Sequence, residues 1–150
     1  MKGDTSMREI IFRGKRKGDG KWVEGYYVMV DPVDMPDRIR EPKAVIFPVY
    51  ATCNWFNKYF YNAVEVLPET VGQFTGLVDC SGKKIFEGDI HGMPGWIVTY
   101  CADVNEGEGM NAGWYVQRDN WESWMPLENH SEHKIIGNIH DNPELVEGRD

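Results

Sequence analysis

Residues 71–90 constrain this chain more than any other stretch: Val71-Gly72-Gln73-Phe74-Thr75-Gly76-Leu77-Val78-Asp79-Cys80-Ser81-Gly82-Lys83-Lys84-Ile85-Phe86-Glu87-Gly88-Asp89-Ile90. Four glycines stand among apolar and β-branched residues. Gly82 follows Asp79-Cys80-Ser81, and glycine in such a loop supplies a positive φ that other residues resist. The Asp79 side chain is placed to cap that turn. Lys83 to Phe86 then leaves as an extended segment, Glu87-Gly88-Asp89 makes a second tight turn, and Ile90 begins the next strand. Turn, short strand, turn, strand is the grammar of a small β-barrel. The stretch holds no nucleophile–base pair and no metal-ligand spacing, so it speaks to fold and not to activity.

The flanking sequence continues in the same grammar. Arg8 to Arg13 reads as a strand, Gly18-Asp19-Gly20 as a turn, and Trp22 to Val30 as the returning strand of a hairpin. Lys15-Arg16-Lys17 falls at or near the hairpin tip. Asp31 to Pro42 reads as a surface loop. Ala44 to Tyr50 is a strand that Pro48 places at an edge or breaks. Val64 to Leu67 alternates like a strand, and Pro68 to Gln73 suits one helical turn, with Pro first and an early Glu. Further strands are expected at 96–101, 114–118 and 131–140. Gly137 within the last of these predicts a bulge or a close backbone approach. Asp141-Asn142-Pro143-Glu144-Leu145 leaves it as a turn that starts a short helix.

Charge narrows the partners. The chain carries a net −8. Residues 1–24 hold seven Lys/Arg against four Asp/Glu, and residues 101–150 hold three against eleven. Such an acidic chain repels phosphate backbones, which disfavours general nucleic-acid binding. Lys15, Arg16, Lys17, Lys83 and Lys84 are the residues from which a local nucleic-acid contact would be built; the plainer reading is a set of solvated turns. The aromatic run Trp55, Phe56, Tyr59, Phe60 and Tyr61 suits either base stacking or a core or oligomer contact, and its single Lys58 favours the latter. No apolar run reaches the roughly 20 residues of a membrane span, and Met1 to Ser6 has no apolar core of the kind a signal peptide needs. A cytoplasmic protein is expected.

Each candidate for chemistry has a structural alternative. Cys53, Cys80 and Cys101 match neither a disulfide framework nor a paired metal knuckle and read as free thiols. His130 and His133, spaced H-x-x-H with His140 further on and His91 elsewhere, would make a zinc site with Cys80 or Cys101 only if the fold gathered them; ordinary surface or packing histidines are the plainer reading. Asp103 to Gly113 is acidic and glycine-rich but lacks the calcium-loop pattern. Asp79, Glu87 and Asp89 are imaginable as acid–base carboxylates. Turn capping and bonds to backbone amides explain Asp79 and Asp89 without catalysis. No nucleophile elbow, phosphate loop, dinucleotide fingerprint or zincin motif occurs. We expect no enzyme, no cofactor and no metal.

Three blocks carry a family resemblance. Gln73-Phe74-Thr75-Gly76-Leu77, then Asp79, Gly82, Lys83 and Ile85-Phe86-Glu87-Gly88-Asp89-Ile90, resembles the core signature of the YopX family of phage and prophage proteins. Met7 to Lys15 is similar to the family's opening. Ile135 to Leu145, with Gly137, Asn138, Asn142 and Pro143, is similar to its ending. The resemblance implies a mainly β fold with an SH3-like barrel, a phage or prophage origin, self-association, and no catalytic residues to transfer. The expected organisation is therefore a disordered extension at 1–6 and one domain at 7–150. Within it, an N-terminal β subdomain with a hairpin covers about 7–63, and an SH3-like barrel with short helical turns covers about 64–145. The expected function is a non-catalytic, self-associating interaction module in the bacterial host cytoplasm, with a host or phage protein partner. The alternative is a nucleic-acid-binding small barrel.

Overall fold

The computed structural model describes residues 8–31, 41–49, 63–102, 111–118, 123–127 and 132–147. The chain forms two compact units, one ending at Gln73 and the other beginning at Phe74. Both are built from short antiparallel strands. Helix among the described residues is confined to 3-10 turns at Pro68–Thr70 and Pro143–Leu145, each opened by its proline.

The first unit contains β1 (Phe12–Lys15), β2 (Trp22–Val30), β3 (Lys43–Pro48), β4 (Val64–Glu65) and the start of β5 (Gly72–Val78). Their order is β4-β3-β2-β1-β5. β1 begins at Phe12, later than the expected Arg8, and runs on into Lys15. The ladder Phe12↔Gly25 to Lys15↔Trp22 sets these limits. The turn closes with the Gly20 amide donating to the Arg16 carbonyl at 2.9 Å, so Arg16 and Lys17 form the tip and Lys15 belongs to the strand. Alternation puts Phe12, Val23, Tyr27, Ala44, Ile46 and Val64 on one face, where they pack with Val66 and Val71. Ile46 is fully buried, and a side chain of that size contributes about 1.5–3 kcal/mol by leaving water.

The second unit takes up β5 from Phe74 and pairs it with β6 (Lys84–Phe86). β7 (Asp89–His91), β8 (Trp96–Cys101), β9 (Gly113–Arg118), β10 (Trp124–Pro126) and β11 (Ile135–Asn138) form a sheet in the order β10-β9-β8-β7-β11. Ile85, Val98, Val116 and Leu127 make the core, with Leu77, Trp96, Trp114 and Ile135 packed around them. The register of β11 on β7 shifts between Ile135 and Gly137, at the expected bulge.

Mainly β is correct; a closed barrel is not what these pairings form. Among the described residues β10 and β11 remain the two edges of an open sheet. Closure would require them to bond to one another or to a further strand, and each is bonded on one side alone.

Candidate functional site

The signature turns are built around buried polar side chains. Asp79 is 5% exposed. Its Oδ1 accepts from the Ser81 amide at 2.8 Å, the Ser81 hydroxyl at 2.6 Å and the Lys83 amide at 2.9 Å. Its Oδ2 accepts from the Ile135 amide at 3.0 Å, which ties the turn to the start of β11. Burial on its own would raise the Asp79 pKa. The Ser81 hydroxyl and the three amides outweigh it and hold the carboxyl well below the usual carboxylate range. Asp89, also buried, accepts from the Phe86 amide at 2.8 Å and closes the Glu87-Gly88 turn, whose Glu87 is exposed. These two carboxylates bond backbone amides on separate turns.

The other signature residues serve the same scaffold. Gln73 lies opposite Phe12 in the first unit. Thr75 donates its hydroxyl to the Ile85 carbonyl at 2.9 Å and accepts from the Leu77 amide at 3.1 Å. Gly76, Gly82 and Gly88 all have positive φ. Phe74 and Phe86 rings lie 5.6 Å apart, and Leu77 and Ile85 line the core. Asn138 Oδ1 accepts from the His140 and Asp141 amides, and its Nδ2 donates to Asp141. Asn142 and Pro143 turn the chain out of β11. A Cβ on Gly137 would stand 2.5 Å from Asn142 Oδ1, so the close approach requires glycine there.

His91 ends β7 and is buried. The His133 ring stands edge-on to it at 5.7 Å and fills the space where a Gly92 side chain would go. Burial lowers the His91 pKa, His133 lowers it further, and Asp79 opposes both. Of the two readings the sequence left for these histidines, metal ligands or ordinary surface and packing residues, the contacts of His91 and His133 are of the packing kind. Among the described residues no three His, Cys, Asp or Glu side chains gather as a ligand set. Cys80 is exposed and Cys101 half-buried. Cys53, His130, the 103–110 part of the acidic loop and the aromatic run at 55–61 lie outside the described residues.

Arg16, Lys17 and Lys43 are matched by acids, and Lys15 and Lys84 by aromatic rings. Lys17 Nζ meets Glu65 Oε1 at 2.9 Å, and Lys43 Nζ meets Glu65 Oε2 at 3.3 Å. These two contacts, with the Lys17 hydrogen bond leading, lower the Glu65 pKa, and the same bond raises that of Lys17. Arg16 Nε lies 3.4 Å from Asp19 Oδ1. Lys15 Nζ sits over the Trp22 ring at 5.5 Å, and Lys84 Nζ over Phe74 at the same distance. Lys83 is exposed and gives its backbone amide to Asp79. The first three belong to one unit and the two lysines to the other, so each set is a candidate contact by itself. A phosphate would have to compete with Glu65 and Asp19 for Lys17 and Arg16.

Sequence reasoning missed the outer face of the first sheet. Opposite pairs Tyr26↔Phe47 and Val28↔Val45 lie on the face away from the core. Tyr26, Val28 and Val30 are 58%, 43% and 46% exposed. The signal in the sequence was the unbroken apolar run Tyr26-Tyr27-Val28-Met29-Val30. An alternating pattern would bury one face; this run supplies apolar residues to both. A protein family described as YopX protein matches residues 11–147 of the chain. No curated protein gives a significant match.

Proposed function

The chain belongs to the YopX family, and from that premise we propose that it is a phage- or prophage-encoded accessory protein acting in the host cytoplasm as a non-catalytic, self-associating protein-interaction module. One observation carries the reading: Tyr26, Val28 and Val30 stand exposed side by side on a strand paired with β3. Contiguous exposed apolar surface of this kind marks contact sites. The buried carboxylates support the non-catalytic part, since Asp79 and Asp89 bond backbone amides. The second unit, with its β7-β8-β9-β10 meander and β11 beside β7, is read as an opened relative of the SH3-like barrel.

Size-exclusion chromatography with light scattering, at low and moderate salt, tests the reading. A stable oligomer indifferent to added single- and double-stranded oligonucleotides supports it. A monomer at micromolar concentration that captures no host or phage protein defeats it. A shift onto oligonucleotide that weakens steeply with salt would replace it with the nucleic-acid reading.

A further inference from the structure

β2 is longer than its neighbour on one side. β1 pairs with Trp22 to Gly25 and its ladder stops at Phe12↔Gly25. β3 pairs with Gly25 to Val30 on the other side. From Tyr26 to Val30, therefore, no strand among the described residues occupies the β1 side of β2. The Val49 amide donates to the Glu24 carbonyl at 3.2 Å, so Glu24 turns its backbone polar groups toward β3. Alternation then turns those of Tyr26, Val28 and Val30 the same way, and those of Tyr27 and Met29 toward the open side. An edge of this length with apolar side chains is a template for another strand.

We infer that this overhang of β2 pairs with the same overhang of a second copy, antiparallel, about a twofold axis at Val28. The inference rests on the self-associating reading above and names its geometry. Register follows from the bonding groups. Only Tyr27 and Met29 offer them, and only the pairing Tyr27↔Met29, Val28↔Val28 and Met29↔Tyr27 uses both residues of both copies. The same register sets Tyr26 against Val30, two apolar partners. Charge also favours a second copy. Gly25 to Val30 holds no ionisable group other than tyrosine, within a chain of net −8. Two such chains repel elsewhere and meet here without opposing like charges. An isologous twofold contact of this kind closes as a dimer rather than a fibre.

Three variants test it by light scattering, with circular dichroism to confirm folding. Met29→Pro removes an edge amide that does not serve the β3 ladder, and the pairing should be lost with the fold retained. Val28→Lys and Val28→Glu each place like charges across the axis, and each alone should weaken association at least tenfold. Mixing the two should restore association, because Lys then faces Glu. A wild-type oligomer unchanged by all three variants overturns the pairing while leaving self-association standing; the edge would then be covered by the chain's own leading residues or lie apart from the contact. Loss of association in the single variants without recovery on mixing overturns the twofold at Val28. A monomeric wild type overturns the functional reading itself.

Discussion

Asp79→Asn keeps the side chain's shape and removes its charge. Aspartate accepts four hydrogen bonds, three on Oδ1 and one on Oδ2. Asparagine can keep its carbonyl toward Ser81 and Lys83, but its amide then faces the Ile135 N–H, donor against donor. Losing a charge-assisted bond and leaving a part-buried amide unmet costs about 1.5–3 kcal/mol. The three remaining bonds become neutral, and each weakens by roughly 0.5 kcal/mol. Solvent reaches Ser81 and Lys83, both exposed, and returns part of this. The net expectation is about 3 kcal/mol, which for a unit of this size lowers Tm by roughly 10–20 °C. Urea unfolding at pH 7, followed by tryptophan fluorescence, measures it. Because the folded carboxyl titrates below its ordinary value, its contribution is present above the unfolded pKa of about 3.9 and fades as pH falls through the depressed one. The gap between wild type and variant should thus persist from neutral pH to about pH 5 and narrow below about pH 4. A variant within about 0.5 kcal/mol of wild type at pH 7 would refute the account of Asp79 as the anchor of β11.

Other residues give independent expectations. His91 has a lowered pKa in the folded chain, so the stability it contributes is present above its unfolded value of about 6.5 and is lost as pH falls through the folded one. His133→Asn removes the neighbouring ring charge, and its Tm should fall less than wild type between pH 7.5 and pH 5.5; equal falls would exclude the pair as the cause. Gly137→Ala should destabilise by about 1–3 kcal/mol through its contact with Asn142, and adding Asn142→Gly should recover part of that in a denaturant double-mutant cycle. Glu65→Gln releases Lys17 and Lys43 from their shared carboxylate. Low-salt oligonucleotide binding should therefore rise in the variant, and no change would show that Glu65 is not what restrains these cations.

Legibility followed sequence separation. The turns at 79–83 and 87–89, the hairpin at 16–20 and the strands at 22–30 and 96–101 are specified by glycines, carboxylates and β-branched runs a few residues apart. Local chemistry decides them, and the expected and observed elements agree closely. The later start of β1 was not legible, because it depends on where Gly25 stops pairing. The open sheet was not legible either, since it arises because β11 pairs with β7, far earlier in the chain, and not with its sequence neighbour β10. The partners of the basic cluster were hidden for the same reason: Glu65 lies 48 residues from Lys17. Lys15-Arg16-Lys17 looks like a charged patch in sequence and is a set of ion and ring contacts in space.

The signature and the proposed contact surface are different residues with different physics. Asp79, Thr75, Asp89 and Asn138 are buried and bonded to backbone, whereas Tyr26, Val28 and Val30 are exposed and apolar. Signature substitutions should therefore lower stability and spare association, and substitutions in β2 should do the reverse. Asp79→Asn, studied well below its Tm, should sediment as wild type does. Val28→Lys should melt within about 0.5 kcal/mol of a dissociated wild type, as exposed positions generally do, while failing to associate. Comparing both variants by analytical ultracentrifugation and thermal melts separates the two roles. If Asp79→Asn dissociates at temperatures where its circular dichroism is unchanged, the signature itself belongs to the contact surface, and the division argued from burial is wrong.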